Sequence, residues 1–308
     1  MEKTNELIKS FDYSDRQIDL LMDSLNKEID YFRYTGFEIK KGTKIFRARK
    51  QNNLKKLFSF ESELSYRLDV KNIVNFGRCN LEQSSKFYGS PHAVDFDGDV
   101  TVIAETSALS RENIDGCETY SVGMWEAKEN VNLFAIKPPF DEKKESVFYK
   151  ELIREFEIAF PRMSNSQQEF YELIGQEFGK KVKKNEGREY AISAAVSEVL
   201  TERTNGVVYS SVQTGSQGIN IVMNPEKFDN FFKFIGLGVG VLFKFQNHIE
   251  FCWEYECRNL EVQPFKYLPV AEVSRTSLTE LIYRFERMGI NKEYIISKLV
   301  EQISGKRI

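Results

Sequence analysis

The sequence predicts an α+β fold, with helices and strands in separate stretches of a 308-residue chain. Three observations predict this class. Apolar residues recur at helical spacing within 14–34 and in three stretches between 145 and 204. Short runs at 43–48, 86–89 and 131–138 have strand character. Apolar residues alternate with polar ones on both sides of Gln246-Asn247, which predicts a hairpin over 239–255.

The first predicted element is an amphipathic helix from residue 14 to about residue 34. Ser14 to Gln17 has the form of a capping box. Five apolar residues follow at helical spacing, namely Ile18, Leu21, Leu25, Ile29 and Phe32. Such a stripe is typical of a helix that packs on a core as a brace, although an apolar face can also recruit a partner.

The next predicted element is a strand over 43–48. Arg47 and Arg49 alternate with Ala48, so they share one face of an extended chain. Two neighbouring guanidiniums repel each other unless water or an anion lies between them. Solvation at the surface is one interpretation, and a phosphate site is the other.

A short strand over 86–89 predicts that Tyr88 lies near a strand end. Asp99 is suited to cap the helix that follows, which places Glu105 about two turns into it. The acidic run that includes Asp95 and Asp97 lacks the glycine and glutamate spacing of a calcium-binding loop. We therefore interpret it as an acidic turn and predict no metal site.

Three further helices are predicted over 145–160, 166–181 and 189–204, with a charged break over 180–187. Strands follow at 207–209 and 219–223, and Ser211 lies where the first of these opens into a loop. This position predicts a hydroxyl that is well exposed to a ligand. Beyond the hairpin, the sequence predicts a helix from Ser277 to Gly289 and a last helix from Asn291.

Composition restricts the class of partner. The chain has 43 basic and 46 acidic residues and a net charge of -3, which gives no general electrostatic basis for nucleic-acid binding. The first residues have no apolar stretch that resembles a signal peptide, and the longest apolar run, 234–243, is too short to span a bilayer. We therefore expect a soluble, cytoplasmic protein. Four cysteines without paired spacing fit a reducing compartment and argue against zinc.

Four separated pieces of the sequence occur in a notable order: IFRAR at 45–49, GRCN at 77–80, FYGS at 87–90 with TVIAE at 101–105, and GVVYSS at 206–211 followed by Asn220. Together they resemble the motifs of one known family, the RES domain, named for Arg, Glu and Ser. The resemblance covers roughly 43–225. Two positions depart from it, since Cys79 replaces an aromatic residue and Ser210 replaces a proline.

The resemblance implies an ADP-ribosyltransferase-like core of mixed and antiparallel sheets, and an NAD-consuming toxin of a toxin–antitoxin pair. NAD would be the substrate, and an antitoxin would be a separate protein. The residues implied to bind NAD are Arg47, Arg78, Asn80 and Asn220. The residues implied to act in catalysis are Glu105, Tyr88 and Ser211, with Ser210 as the alternative serine.

The resemblance divides the chain into an N-terminal helical extension (1–42), a catalytic domain (43–225) and a C-terminal hairpin and helical extension (226–308). The C-terminal part would gate the cleft or form a dimer surface. Each site residue also has a plainer interpretation: Tyr88 as a core aromatic residue, Ser211 as a turn residue and Glu105 as a solvated acid. A protein-interaction module that retains the fold is therefore the alternative function.

Overall fold

The structure is a computed structural model that describes residues 1–31, 35–51, 57–92, 98–138, 146–183, 186–257, 259–270 and 277–303. The helices in these residues are α1 (Glu2–Lys9), α2 (Asp15–Glu28), α3 (Gly98–Thr106), α4 (Ala108–Glu112), α5 (Val147–Ala159), α6 (Asn165–Gly179), α7 (Ala191–Arg203), α8 (Pro225–Phe231), α9 (Leu278–Arg287) and α10 (Lys292–Ile303).

The strands in the same residues are β1 (Gly36–Ile39), β2 (Lys44–Gln51), β3 (Phe87–Pro91), β4 (Gly116–Ala127), β5 (Val131–Ala135), β6 (Val207–Ser210), β7 (Ile219–Met223), β8 (Phe232–Phe245), β9 (His248–Cys257) and β10 (Leu268–Pro269). Helices and strands both contribute substantially, and parallel and antiparallel pairs both occur. The predicted α+β class is confirmed.

Most predicted elements are present. Ser14 caps α2 by accepting a hydrogen bond from the Gln17 N–H, as the sequence pattern predicts. The predicted hairpin is formed by β8 and β9, with the register pair Phe245–His248 next to the turn. Four predictions lie partly outside the described residues: the helix end at 32–34, the acidic turn with Asp95 and Asp97, the first residue of the helix over 145–160, and the charged break at 184–185.

The chain divides into two compact units. Unit 1 comprises 1–45, 66–101 and 126–233, and unit 2 comprises 46–65, 102–125 and 234–308. Each unit is built from discontinuous pieces of chain, so neither corresponds to one of the three predicted segments. The predicted boundaries after residues 42 and 225 stay predictions.

Unit 1 contains five strands in the order β1-β5-β6-β7-β3. Only the β5–β6 pair in this series is parallel, and the β1–β5, β6–β7 and β7–β3 pairs are antiparallel. Its core contains a series of aromatic contacts, in which Tyr171 of α6 packs on Phe134 of β5 and on Phe156 of α5. The Tyr171 hydroxyl accepts a hydrogen bond from the Thr35 N–H at 2.9 Å, so this large side chain is buried with its polar atom bonded.

Unit 2 contains strands in the order β2-β4-β8-β9-β10. One apolar cluster joins the hairpin to the last two helices through Phe245, Phe285 and Ile295. A second cluster packs α3 on the strands, and its members are Ala48, Val102, Ile103, Tyr120, Val122 and Leu242. This second cluster fixes the helix that carries Glu105 relative to the strand that carries Arg47.

The cysteines are confirmed as mostly buried thiols, since Cys79, Cys252 and Cys257 are buried and Cys117 is partly buried. Burial raises the pKa of Cys79 to about 11, so its thiol stays protonated at neutral pH. Among the described helices, none combines the length and the apolar character needed to cross a membrane.

Candidate functional site

The predicted site residues fall into two sets. Unit 1 carries Arg78, Asn80, Tyr88, Ser211 and Asn220, whereas unit 2 carries Arg47 and Glu105.

In unit 1, Gly77, Asn80 and Tyr88 form a tight hydrogen-bonded cluster. Gly77 and Asn80 form an isolated antiparallel bridge, with the Gly77 N–H donating to the Asn80 carbonyl at 3.0 Å. The Tyr88 hydroxyl donates to Asn80 Oδ1 at 2.7 Å and accepts from the Cys79 N–H at 3.1 Å. A Cβ on Gly77 would lie 2.3 Å from Asn80 Oδ1, so a side chain at residue 77 would displace the amide that Tyr88 bonds. The GRCN motif and the tyrosine strand are therefore one structural feature.

Arg78 is buried and points to the end of a helix. Its guanidinium donates to the Phe178 carbonyl, and to the Lys180 carbonyl at 3.0 Å. It also lies 4.9 Å from the centroid of the Tyr190 ring. The last carbonyls of a helix have no partner within that helix, and here Arg78 supplies donors at the end of α6. In this structure, the arginine predicted to bind phosphate has a capping role.

Ser211 is fully buried, which corrects the expectation of an exposed hydroxyl. The chain after β6 closes on itself: the Ser211 N–H donates to the Gly218 carbonyl at 2.8 Å, and Ser211 Oγ accepts from the Thr214 N–H at 3.3 Å. The physical reason is that the loop over 211–218 satisfies its own polar groups and folds over the serine. Gly215 and Ser216 adopt left-handed conformations to allow this closure, with φ of 59° and 69°.

The same loop packs on the first turn of α3. A Cβ on Gly218 would lie 2.2 Å from Thr101 Oγ1, so glycine permits this close approach. Asn220 follows on β7, opposite Tyr209 of β6, and is only 5% exposed. The predicted serine and asparagine thus lie at the same end of the β6–β7 pair.

In unit 2, Arg47 and Arg49 share one face of β2, as their alternation predicts. Arg47 Nε donates to the Leu64 carbonyl at 3.1 Å, and Arg49 Nε donates to the same oxygen at 3.2 Å. Arg49 also donates to the Ser65 carbonyl. The carbonyl oxygens just after the 3₁₀ turn of Glu61–Glu63 therefore hold two positive charges close together. Such a pair favours an anion nearby, because a bound anion relieves the repulsion between the two cations.

Glu105 lies near the C-terminal end of α3, one residue before the helix ends at Thr106, and it is partly buried. Val102 and Ile103 of the same helix pack on β2, β4 and β8. Arg47 and Glu105 are thus carried by elements that share one apolar cluster.

Unit 2 also contains a buried acid that was not predicted from the sequence. Glu118 of β4 is 5% exposed, and it accepts hydrogen bonds from Ser107 Oγ at 2.7 Å and from the Tyr120 hydroxyl at 2.6 Å. Lys50 of β2 forms an ion pair with its other carboxylate oxygen. Glu118 shares the buried face of β4 with Gly116 and Tyr120, and an acid among such residues gives no apolar alternation in the sequence.

Comparison with known proteins adds no identification. A scan against protein-family models gives no match, and a search of curated proteins gives no significant match.

Proposed function

We propose that this protein is an NAD-consuming enzyme of the RES type, which cleaves the bond between nicotinamide and ribose. The resemblance of four ordered motifs to that family supports the proposal. The observation that carries it is the arginine pair of β2, in which Arg47 and Arg49 both bond to the carbonyl of Leu64. A pair of guanidiniums on one face is suited to a pyrophosphate, whose oxygens accept bidentate hydrogen bonds.

Besides the pyrophosphate, the site must stabilise the positive charge that develops on the ribose, and we assign this role to Glu105. Cleavage of the glycosidic bond develops positive charge on the ribose, by analogy with glycoside hydrolysis. A carboxylate near that ribose stabilises the charge electrostatically. From the resemblance, Tyr88 would stack on or cover the nicotinamide and Ser211 would orient the ribose or Glu105. Asn80 and Asn220 would bind NAD. ADP-ribose would pass to water, to phosphate or to a protein acceptor, in an ADP-ribosyltransferase-like fold.

The test is release of free nicotinamide from NAD by the purified protein. We expect turnover by the wild type and a loss of about 100-fold in Glu105→Gln, the usual cost of removing one electrostatic contact in a transition state. Glu112→Gln is the matched control, because Glu112 is an exposed acid on the neighbouring helix α4. Circular dichroism establishes that each variant is folded. Full activity in Glu105→Gln would contradict the assignment of that residue.

The acceptor is identified from the products. Free ADP-ribose indicates water, a phosphorylated ADP-ribose that depends on added phosphate indicates phosphorolysis, and label from NAD on a polypeptide indicates a protein acceptor. A separate antitoxin would abolish release when it is mixed with the enzyme, and this behaviour is part of the toxin proposal.

A protein-interaction module is the second candidate, and one observation favours it. The last two helices carry exposed apolar side chains, among them Leu278 (54% exposed), Tyr283 (58%) and Val300 (56%). Exposed apolar groups of this kind occur at protein interfaces, including those of homo-oligomers. This candidate becomes the preferred one if the folded wild type neither releases nicotinamide nor binds NAD by calorimetry.

A further inference from the structure

Glu118 is a charged group buried in a strand, and its surroundings are built to keep it ionised. A buried carboxylate is costly unless hydrogen bonds and an opposite charge compensate for the lost water. Here Ser107 and Tyr120 donate to Oε2, and Lys50 pairs with Oε1. Burial acts to raise the pKa of Glu118, but the bonds from Lys50, Tyr120 and Ser107 outweigh it and lower the pKa below its ordinary value.

Two of these donors, Lys50 and Ser107, lie close in sequence to the proposed site residues of unit 2. Lys50 follows Arg49 directly on β2, and successive strand residues point to opposite faces. Glu118 therefore holds β2 from the face opposite to the arginine pair. On the arginine face of the same strand, Gln51 donates to Ser121 Oγ at 2.7 Å, so both faces of this strand end are bonded to β4.

Ser107 connects the carboxylate to the helix of Glu105. It stands two residues after Glu105, and its N–H donates to the Ile103 carbonyl of α3 at 2.8 Å. Its Oγ accepts from the Ser110 N–H at 3.2 Å and so caps α4. The junction between α3 and α4 is thus fixed by the hydroxyl that also donates to Glu118.

We propose that Glu118 is a positioning residue, which fixes β2 with its arginine pair and the α3–α4 junction with Glu105 through one carboxylate. This inference rests on the proposed NAD-consuming function for its catalytic consequence. Its structural consequence is that Glu118 holds β2 and the α3–α4 junction together, and this is measurable without NAD.

The Glu118→Gln variant tests the link selectively. Its amide oxygen can take the place of Oε2 and keep the bonds from Ser107 and Tyr120. Its amide N–H₂ then takes the place of Oε1 and faces the Lys50 ammonium, so two donors oppose each other.

We expect kcat/KM of Glu118→Gln for NAD to fall about 10-fold or more, because small displacements of positioning groups are costly. We also expect KM to rise, since the arginine pair shifts. Glu250→Gln is the control, because Glu250 is a strand acid that pairs with Arg284 in the same unit.

Rescue separates positioning from simple loss of stability. Glu118→Gln with Lys50→Met removes the opposed donors, and we expect this double variant to recover part of the activity lost in Glu118→Gln. Hydrogen exchange provides the second measurement. In Glu118→Gln, we expect faster exchange in peptides that cover 44–51 and 98–112, with exchange elsewhere unchanged.

Each outcome decides the proposal. Wild-type kinetics together with unchanged exchange in both segments would overturn it, as would uniformly faster exchange across the chain, which indicates general destabilisation. If the wild type releases no nicotinamide, the NAD-consuming function fails and the exchange data alone decide the link. Should Glu118→Gln fail to fold, Lys50→Met takes its place, and it must speed exchange in 44–51 for the link to stand.

Discussion

The Tyr88 hydroxyl lies 2.7 Å from Oδ1 of Asn80 and donates a hydrogen bond to it. The two residues belong to different motifs of the sequence, one in a turn and the other on β3. The same hydroxyl accepts a bond from the Cys79 N–H, so one phenol satisfies two groups of the GRCN turn. Tyr88 therefore holds the GRCN turn together, in addition to any contact that it makes with a ligand.

Tyr88→Phe should destabilise the protein by about 1–2 kcal/mol, because it leaves a partly buried amide oxygen and a backbone N–H without their partner. Chemical denaturation measures this change. Tyr66→Phe is the control, since the Tyr66 hydroxyl donates to Asp229 in an exposed position, and we expect a cost below about 0.5 kcal/mol there. An equal loss of unfolding free energy in Tyr88→Phe and Tyr66→Phe would contradict the role of Tyr88 in the turn.

Gly77→Ala should destabilise the same turn by about 1–3 kcal/mol, because the new methyl group would lie 2.3 Å from Asn80 Oδ1. Gly36→Ala is a matched control, since a Cβ at Gly36 has nothing within 4 Å. We expect that control to be neutral or slightly stabilising. The measurement compares the midpoints of chemical unfolding of the two variants. If Gly77→Ala is as stable as the wild type, the Asn80 side chain moves aside at no cost and the prediction is wrong.

Arg78→Lys should lower stability by about 2–4 kcal/mol, since an ammonium cannot reproduce the fork that reaches both Phe178 and Lys180 carbonyls. Calorimetric titration of NAD into the folded variant then distinguishes the capping role from phosphate binding. An unchanged dissociation constant indicates that Arg78 acts only as a cap of α6. A weakened one supports the predicted contact with NAD.

Arg47→Ala should weaken NAD binding by about 10-fold or more, because it removes one half of the arginine pair and its charge-assisted bonds to phosphate. Titration calorimetry with NAD and with ADP-ribose gives the two dissociation constants. Arg67→Ala is the control, since Arg67 is an exposed arginine that pairs with Asp69. Unchanged affinity in Arg47→Ala would count against an anion site on β2.

The stability contributed by Glu118 should depend on pH. Burial opposes its charge, but bonds from Lys50, Tyr120 and Ser107 lower its folded-state pKa below the reference value of 4.5. A lowered pKa gives stability that is complete above the unfolded-state pKa and is lost as pH falls through the folded-state value. Arg111 and Cys117 also lie near this group, and burial raises the pKa of Cys117 to about 11, so its thiol stays neutral in this window. The difference in the free energy of unfolding between wild type and Glu118→Gln should therefore shrink as the pH falls below about 4.5.

The sequence by itself predicted most of the longer helices and strands, because capping residues and apolar periodicity act over a few neighbouring residues. Ser14 capping α2 and the β8–β9 hairpin are examples. It also placed Arg47 and Arg49 on one face, since alternation along a strand is a local property. Strand β4 was missed, because central residues such as Val122 and Trp125 are buried on both faces and blur the alternation.

Only the tertiary structure decided what the polar side chains contact. The partners of Arg78 lie about 100 residues further along the chain, at the end of α6, and no local pattern specifies that distance. Ser211 is buried because its loop closes through Gly218, although its position after a strand predicts exposure. Glu118 lies beside Lys50 because two strands distant in sequence are neighbours in one sheet. Local propensity selects the elements, whereas the partners of buried charges depend on how those elements pack.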